Sequence, residues 1–170
     1  MGKRMIKVLF VCMGNICRSP AGEGVFKQLI QKNNLEDQVY VESCGLGDWH
    51  IGHSPDSRML EVSKARGILL SSRAQQIKRQ HLEEFDYILA ADKKVYHVLI
   101  QSADESQKAK IKMMTAYSEL YFDKDVPDPY SLNDQAFELV MDMLEDSCEG
   151  LIQHLSRRNE QREKEYLEDR

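Results

Sequence analysis

Short apolar runs alternate with amphipathic segments along this chain. Apolar and β-branched residues predominate over residues 5–11, and this run predicts a buried strand. Similar runs predict strands over residues 38–43 and 85–91, and a weaker one over 109–113. The intervening and following segments carry apolar residues at helical spacing, which predicts helices over residues 21–32, 57–67, 93–102 and 134–155.

Strands that alternate with helices are typical of a parallel sheet covered by helices on both faces. We therefore predict an α/β fold, a single domain with a four-stranded parallel sheet flanked by helices. Ligands of such folds bind beyond the carboxyl ends of the strands. The loops after the first and second strands and Asp92 after the third meet at that edge. This edge is therefore where we expect the functional site.

The composition is that of one globular domain. The chain has 170 residues, 42% apolar and 30% charged, which excludes a mainly disordered protein. No apolar run approaches the roughly 18–20 residues that cross a bilayer. The net charge of −5 argues against a nucleic-acid-binding surface. We expect a cytoplasmic monomer that binds neither membrane nor nucleic acid.

The last residues of the chain differ from the rest. Residues 157–170 are almost all charged, with both signs represented. We predict that the domain occupies residues 1–156 and that residues 157–170 form a charged tail, a solvated helical extension.

The four cysteines form no pattern typical of a zinc site or of a disulfide scaffold. Cys12 and Cys17 are separated by four residues, unlike a CxxC motif, and no second pair with histidine completes a zinc site. An even number of cysteines does not imply disulfides in a cytosolic protein. We expect neither a metal nor a cofactor.

The segment from Cys12 to Ser19, between a predicted strand and a predicted helix, suits anion binding. Backbone N–H groups of a tight loop point inward, and the helix N-terminus adds partial positive charge. Gly14 is expected to give the turn its freedom in φ, and Asn15 tolerates a left-handed backbone. Arg18 adds a planar fork that can bind two phosphate oxygens. The sequence thus predicts a phosphate-binding loop after the first strand.

A cysteine at the start of this loop adds a nucleophile. The positive field favours the thiolate of Cys12, which would lie beneath the central atom of a bound oxyanion. Ser19 can donate a hydrogen bond to this thiolate. The loop lacks the lysine and spacing of an NTPase phosphate loop and also lacks GxGxxG. The pattern therefore indicates chemistry on a phosphoryl group rather than nucleotide binding.

Residues 11–20, VCMGNICRSP, resemble the active-site loop of the low-molecular-weight protein tyrosine phosphatases. Other phosphatases share the Cys-x5-Arg-Ser pattern, whereas the extended form with Gly14, Asn15 and Cys17 is highly specific. A second motif, VPDPY at residues 126–130, resembles the DPY segment that supplies the general acid in this family. The resemblance runs from about Ile6 to about Leu155, nearly the whole chain except the tail.

The resemblance implies metal-free hydrolysis of phosphotyrosine and aryl phosphates. Cys12 would form a phosphocysteine intermediate, Arg18 would bind the phosphate, and Asp128 would protonate the leaving group and then activate water. A carboxylic acid beside a phosphate dianion tends to keep its proton, and flanking prolines fix the loop that presents it. The implied partners are phosphotyrosine-containing proteins, with phosphate or another oxyanion in the site.

The resemblance also implies supporting residues. Asn15, Ser19 and Ser43 resemble the hydrogen-bond network that holds the loop, and Glu23 fits the expected position in the first helix. Trp49 and Tyr130 resemble aromatic walls that sandwich a substrate ring. The other implied substrate- or phosphate-binding residues belong to the loop itself: Met13, Gly14, Ile16 and Cys17.

Cys17 has two interpretations. It resembles the family's second loop cysteine, whose proposed task is to trap oxidised Cys12 as a disulfide. It is equally well read as a small buried residue that fills space.

Two positions depart from the family pattern. Many members have a histidine where this chain has Ser72, so part of the loop-supporting network differs here. Animal members often have a second tyrosine after DPY, where this chain has Ser131. Regulation by phosphorylation at that second tyrosine is therefore not carried over.

Four alternatives remain open. Phosphoarginine phosphatases of the same family have a residue resembling threonine where this chain has Ile16, whose apolar side chain suits an aromatic ring better than a guanidinium. Thiol-linked arsenate reductases need two further cysteines around the third strand, and none lies there. A non-catalytic phosphate or phosphopeptide reader would not need Cys12, Arg18 and Asp128 together. Sugar-transport components that carry phosphate on cysteine do not need an arginine at this spacing.

Overall fold

The computed structural model describes residues 4–169, and a four-stranded parallel sheet lies at its centre. The spatial order β2-β1-β3-β4 puts β1 and β3 in the middle of the sheet, and all neighbouring pairs are parallel. The predicted fold class is confirmed. In chain order the strands are β1 (Ile6–Cys12), β2 (Val39–Gly45), β3 (Tyr87–Ala90) and β4 (Ile111–Met113).

Helices connect the strands and cover both faces of the sheet. A single 3₁₀ turn, Met114–Tyr117, follows β4 within the described residues. The α-helices of that part of the chain are α1 (Arg18–Lys32), α2 (Ser57–Ala65), α3 (Arg79–Glu84), α4 (Lys93–Ser102), α5 (Glu105–Lys108) and α6 (Asp134–Glu168).

Alternate residues of β1 point into two separate apolar layers. Phe10 belongs to the layer that includes Phe26 of α1 and Phe137 of α6. Leu9 belongs to the opposite layer, which includes Leu99 of α4. These side chains are buried, so β1 is fixed on both faces. Its carboxyl end, which carries Cys12, is therefore a rigid support.

Helix α1 begins at Arg18, three residues before the predicted start. Ser19 and Pro20 consequently lie in the first turn, where the missing N–H of proline leaves no intrahelical bond unmade. The sequence did not predict α3 and α5, because each is too short to show helical periodicity. Asp104 caps α5 by accepting a hydrogen bond from the Gln107 N–H at 2.9 Å.

Helix α6 continues without a break through residue 156 to Glu168. Arg158 donates a hydrogen bond to the Tyr87 hydroxyl at 2.6 Å, and Asn159 donates one to Gln38. The beginning of the tail is thus attached to the domain, and residues 160–169 are exposed. The division at residue 156 remains a prediction, and residues 1–3 and 170 of the two predicted ranges lie outside the described residues.

No helix in the described part of the chain combines the length and apolar character needed to cross a membrane.

Candidate active site

The phosphate loop, residues 12–19, joins β1 to α1. The left-handed residue in this loop is Asn15, with φ 58°. Gly14 is outside that region, so the expectation that it supplies the turn's freedom in φ is wrong. A Cβ at Gly14 would lie 3.0 Å from Cδ2 of His50, so the His50 side chain would have to shift by a few tenths of an ångström to accept one. The turn therefore depends on the asparagine rather than the glycine.

Cys12 is almost completely buried at the end of β1. Its Sγ lies 2.9 Å from the Ser19 Oγ, and it accepts a hydrogen bond from the Asn15 N–H at 3.3 Å. Two groups that can donate thus converge on the sulfur. The sulfur of Cys12 therefore lies within hydrogen-bonding distance of a hydroxyl and a backbone N–H.

The Asn15 side chain connects the phosphate loop to two other segments. Its Nδ2 donates to Ser19 Oγ at 2.7 Å and to Ser43 Oγ at 3.0 Å. Its Oδ1 accepts from the backbone N–H of Gln75 at 3.0 Å. The structure thus brings together Asn15, Ser19 and Ser43, the three residues singled out in the sequence for loop support.

Gln75 is a supporting residue that the sequence did not predict. Its Nε2 donates to the carbonyl oxygen of Ser43 and to Oε1 of Glu42, both at 2.9 Å. Ser72, at the position of the family's histidine, lies in the wall of a separate cleft instead. The segment after α2 therefore contacts the hydrogen-bond network around Asn15 through Gln75.

Glu23 lies in a different cleft from Cys12 and Arg18. It lines the separate cleft, which we call the back cleft, together with Ser43 and Tyr40, and the volume of this cleft is about 420 Å³. Burial raises the pKa of the Glu23 carboxyl, and a hydrogen bond with Ser43 partly opposes that rise. Glu23 thus adjoins the loop-supporting network through Ser43.

Arg18 is buried and its guanidinium is fixed by two acceptors. Nη1 donates to Oδ2 of Asp92 at 2.6 Å and to the carbonyl oxygen of Val126 at 3.0 Å. The other carboxylate oxygen of Asp92 caps α4 by accepting from the Val95 N–H at 2.9 Å. The sequence placed Asp92 at this edge of the sheet without giving it a contact; its pairing with Arg18 required the folded structure.

Asp128 lies at the mouth of the site. Its Oδ2 is 3.9 Å from Nη2 of Arg18, and 55% of its side chain is exposed. Trp49 and Tyr130 lie at the same mouth and are 63% and 53% exposed. The Trp49 ring packs directly over Gly47, since a Cβ there would lie 2.0 Å from Cζ3 of the ring.

These groups surround one cleft of about 190 Å³, which we call the catalytic cleft. The sequence did not single out His50, whose ring centroid lies 6.4 Å from that of Tyr130. The lining residues are Cys12, Met13, Gly14, Ile16, Cys17, Arg18, Trp49, His50, Asp128 and Tyr130.

All four cysteines are free and buried. Burial raises the pKa of the Cys17 thiol, and the nearby Asp56 carboxylate acts in the same direction. Both effects disfavour the Cys17 thiolate. Between residues 4 and 169 no group of three or more histidine, cysteine or carboxylate side chains is arranged to hold a metal ion.

The chain resembles known phosphatases over most of its length. Residues 7–162 match the family model for low molecular weight phosphotyrosine protein phosphatase. The low molecular weight protein-tyrosine-phosphatase YfkJ of Bacillus subtilis is 40% identical over 149 residues, which cover 87% of this chain and 94% of that protein.

Solved structures agree with this assignment. A protein tyrosine phosphatase from Entamoeba histolytica, with Hepes in its active site, has a TM-score of 0.87 and 40% identity, covering 91% of this chain and 99% of that one. A drosophila arginine phosphatase has a TM-score of 0.80 and 33% identity, covering 88% of this chain and 98% of that one.

The parallel sheet and the cysteine-containing phosphate loop at its carboxyl edge define a phosphatase of the α/β class. More narrowly, the chain belongs to the low molecular weight phosphotyrosine protein phosphatase family, as its sequence motifs predicted. It is accordingly a hydrolase.

Proposed function

We propose that this protein hydrolyses phosphotyrosine in proteins, without a metal ion, through a phosphocysteine on Cys12. The observation that carries the proposal is the convergence of Cys12, Arg18 and Asp128 on one cleft with aromatic residues at its mouth. A nucleophile, a cation and an acid are the three groups that transfer of a phosphoryl group from a phenol requires.

The first step forms the phosphocysteine. The Cys12 thiolate attacks phosphorus, the bond from phosphorus to the phenolic oxygen breaks, and Asp128 gives its proton to that oxygen. Arg18 and the backbone N–H groups of the phosphate loop stabilise the charge on the equatorial oxygens. In the second step the Asp128 carboxylate takes a proton from water, which attacks phosphorus. The S–P bond breaks, and phosphate and the thiolate are released.

The aromatic residues at the mouth suit a flat phenyl ring. Cys12 is buried at the bottom of the cleft, whereas Trp49 and Tyr130 stand at its rim. A phosphate must therefore sit at the end of a side chain long enough to pass between the two rings. Phosphotyrosine meets that condition, and phosphoserine, with its short side chain, does not.

The second candidate substrate is phosphoarginine. It is favoured by the 33% identity to the drosophila arginine phosphatase over nearly that whole chain. The apolar Ile16 in the wall of the catalytic cleft favours an aromatic ring and offers no hydroxyl to a guanidinium. We therefore propose phosphotyrosine as the principal substrate.

The test is turnover of paired phosphotyrosine and phosphoarginine peptides with a chelator present. We expect preference for phosphotyrosine, loss of turnover in Cys12→Ser with phosphate binding retained, and slowing by about 10²–10⁴-fold in Asp128→Ala. A preference for phosphoarginine would keep the mechanism and overturn the substrate. Activity that depends on a divalent ion, or that survives Cys12→Ala, would overturn the mechanism.

We further propose that Cys17 protects Cys12 from irreversible oxidation. Peroxide converts the thiolate to a sulfenic acid, and the Cys17 thiol then attacks that sulfur, forming a disulfide and releasing water. We expect thiols to restore activity in the wild type and in the control Cys148→Ala, but not in Cys17→Ala. Equal recovery in all three proteins would mean that Cys17 only fills space.

A monomer in the cytoplasm, with phosphotyrosine-containing proteins as its partners, is the setting we propose. The four free cysteines support a reducing compartment. Gel filtration and light scattering of the purified protein test the oligomeric state.

A further inference from the structure

The segment that carries Asp128, which we call the acid loop (residues 125–131), is held from outside by Arg58. Nη2 of Arg58 donates a hydrogen bond to the carbonyl oxygen of Tyr130 at 2.9 Å. The N–H of Tyr130 donates in turn to Oδ1 of Asp128 at 3.1 Å. The backbone of one residue therefore connects the Arg58 guanidinium to the carboxyl group of Asp128.

Contacts on several sides fix the Arg58 guanidinium itself. Its Nε and Nη2 donate to the two carboxylate oxygens of Asp56 at 3.1 and 2.9 Å. Its Cζ lies 4.6 Å from the ring centroid of Phe137, which is fully buried on α6, and 5.7 Å from that of Tyr130. A guanidinium bound through Nε and Nη2 and stacked on a core ring is restricted in its movement.

Asp56 connects the same group to the phosphate loop. The Asp56 N–H donates to the carbonyl oxygen of Ile16 at 2.8 Å, and its carboxylate caps α2 by accepting from the Arg58 N–H at 2.9 Å. Asp56 and Arg58 thus form a bridge between the two loops of the catalytic cleft. One end holds the loop that binds phosphate, and the other holds the loop that delivers the proton.

We propose that Arg58 is a positioning residue for the general acid: through Tyr130 it sets where the Asp128 carboxyl lies relative to the leaving oxygen. This inference rests on the acid role given to Asp128 under the proposed function. It attributes to Arg58 an effect on proton delivery and none on the attack by Cys12 or on phosphate binding. Arg58 variants should therefore be impaired in proportion to the substrate's need for a proton.

The experiment measures kcat/KM along a series of aryl phosphates of decreasing leaving-group acidity. Phenol, with a pKa of about 10 like that of tyrosine, needs the proton, whereas the much more acidic p-nitrophenol leaves readily without it. For Arg58→Met we expect kcat/KM for phenyl phosphate to fall about tenfold, and for p-nitrophenyl phosphate to stay within about twofold. For Arg58→Lys we expect kcat/KM for phenyl phosphate to lie between the values of the wild type and Arg58→Met, because one ammonium cannot reproduce the planar fork.

Arg66→Met is the matched control. Arg66, which directly follows α2, also joins that end of the helix to α6, through Asp142 at 2.9 Å, Glu145 at 2.8 Å and Glu138. These contacts involve neither loop of the catalytic cleft. Its loss loosens the same pair of helices without touching the acid. We expect a lower Tm in Arg66→Met, with the slope of kcat/KM against leaving-group pKa unchanged.

The outcomes separate the inference from the function on which it rests. Asp128→Ala, measured in the same series, should steepen the slope; if it does not, the acid role of Asp128 falls. If Asp128→Ala steepens the slope but Arg58→Met and Arg58→Lys lower kcat/KM equally for all substrates, only the positioning role of Arg58 is contradicted. The same holds if Arg66→Met steepens the slope as much as Arg58→Met does. Should Arg58→Met not fold, Arg58→Lys alone decides between these results.

Discussion

The phosphate loop and the acid loop supply two halves of one site, yet they are built in opposite ways. In the phosphate loop Asn15, Arg18 and Ser19 are at most 2% exposed, and each has at least two hydrogen-bond partners. In the acid loop more than half of the Asp128 side chain faces solvent. On the proposed function, the half that stabilises charge is buried, and the half that moves a proton is exposed.

The difference matches what each half does. Dipoles that stabilise a developing charge work best when they are already fixed and shielded from water, because no reorganisation is then needed. An acid that also activates water must be reachable by water. The acid loop therefore relies on neighbours, Arg58 on one side and Arg18 through the carbonyl oxygen of Val126 on the other.

Arg18→Lys should have the largest effect of the variants that test this contrast. A lysine cannot pair with Asp92, bind the carbonyl oxygen of Val126 and hold phosphate at once, so we expect kcat to fall about 10³-fold. Steady-state kinetics with phosphotyrosine as substrate measure this fall in kcat. Arg73→Lys, whose exposed arginine binds Ser54 away from the catalytic cleft, is the control and should retain kcat within about twofold.

Two substitutions of Asn15 distinguish the effect of backbone strain from the effect of its hydrogen bonds. Asn15→Ala loses the side-chain bonds and puts alanine, which tolerates a left-handed backbone less well than asparagine, at φ 58°, so we expect the free energy of unfolding to drop by about 2–4 kcal/mol. Asn15→Gly relieves the strain and should recover part of that stability. Both variants should lose turnover by about tenfold or more, because Ser19 and Ser43 are no longer joined. Full turnover in the glycine variant would show that the bonds to Asn15 do not matter.

Trp49→Ala tests the exposed rim. On the proposed function the ring contacts substrate, so its removal should raise KM for phosphotyrosine about three- to tenfold. Because the side chain is 63% exposed, the free energy of unfolding should change by less than about 0.5 kcal/mol. Leu69→Ala, at a residue 79% exposed elsewhere, should leave KM unchanged. A large stability loss with unchanged KM would reverse the interpretation of Trp49 as a substrate wall.

The smallest effect concerns the pH dependence of stability. Burial raises the pKa of Glu23 in the folded protein above its ordinary value of 4.5, so the folded state holds this proton more tightly than the unfolded state. The stabilisation is present below pH 4.5 and is lost as the pH rises through the folded pKa. Glu23→Gln should remove that part of the pH dependence of Tm. Glu36→Gln, at an exposed glutamate lining the same back cleft, should keep it.

The sequence predicted most of what depends on local pattern. The strand and helix periods predicted the sheet, and the spacing of Cys12, Arg18 and the DPY motif predicted the family. It failed where contacts depend on distant segments. Gln75 reaches Asn15 across 60 residues, and Arg58 reaches Tyr130 across 72. No local pattern marks either residue, since each is an ordinary polar side chain until the chain is folded.

At Gly14, by contrast, a local pattern led to a wrong prediction. The sequence predicts freedom in φ at Gly14 and tolerance of a left-handed backbone at Asn15, and it is Asn15 that adopts positive φ. Its side chain donates two hydrogen bonds and accepts one in that conformation. Gly14 instead lies close to the side chain of His50, which is 36 positions away in the sequence.

The pairing of Arg18 with Asp92 has a consequence for the catalytic cycle as a whole. At 2.6 Å the Asp92 carboxylate balances the charge of the buried Arg18 guanidinium. On the proposed function, departing phosphate would therefore not leave an isolated buried charge, and we expect its release to be correspondingly easier. The same pairing with Asp92 should weaken the attraction between Arg18 and bound substrate. On the proposed function, Arg18 then attracts the phosphoryl group most strongly where that group carries the most charge. We therefore expect Asp92 to influence how readily phosphate is released.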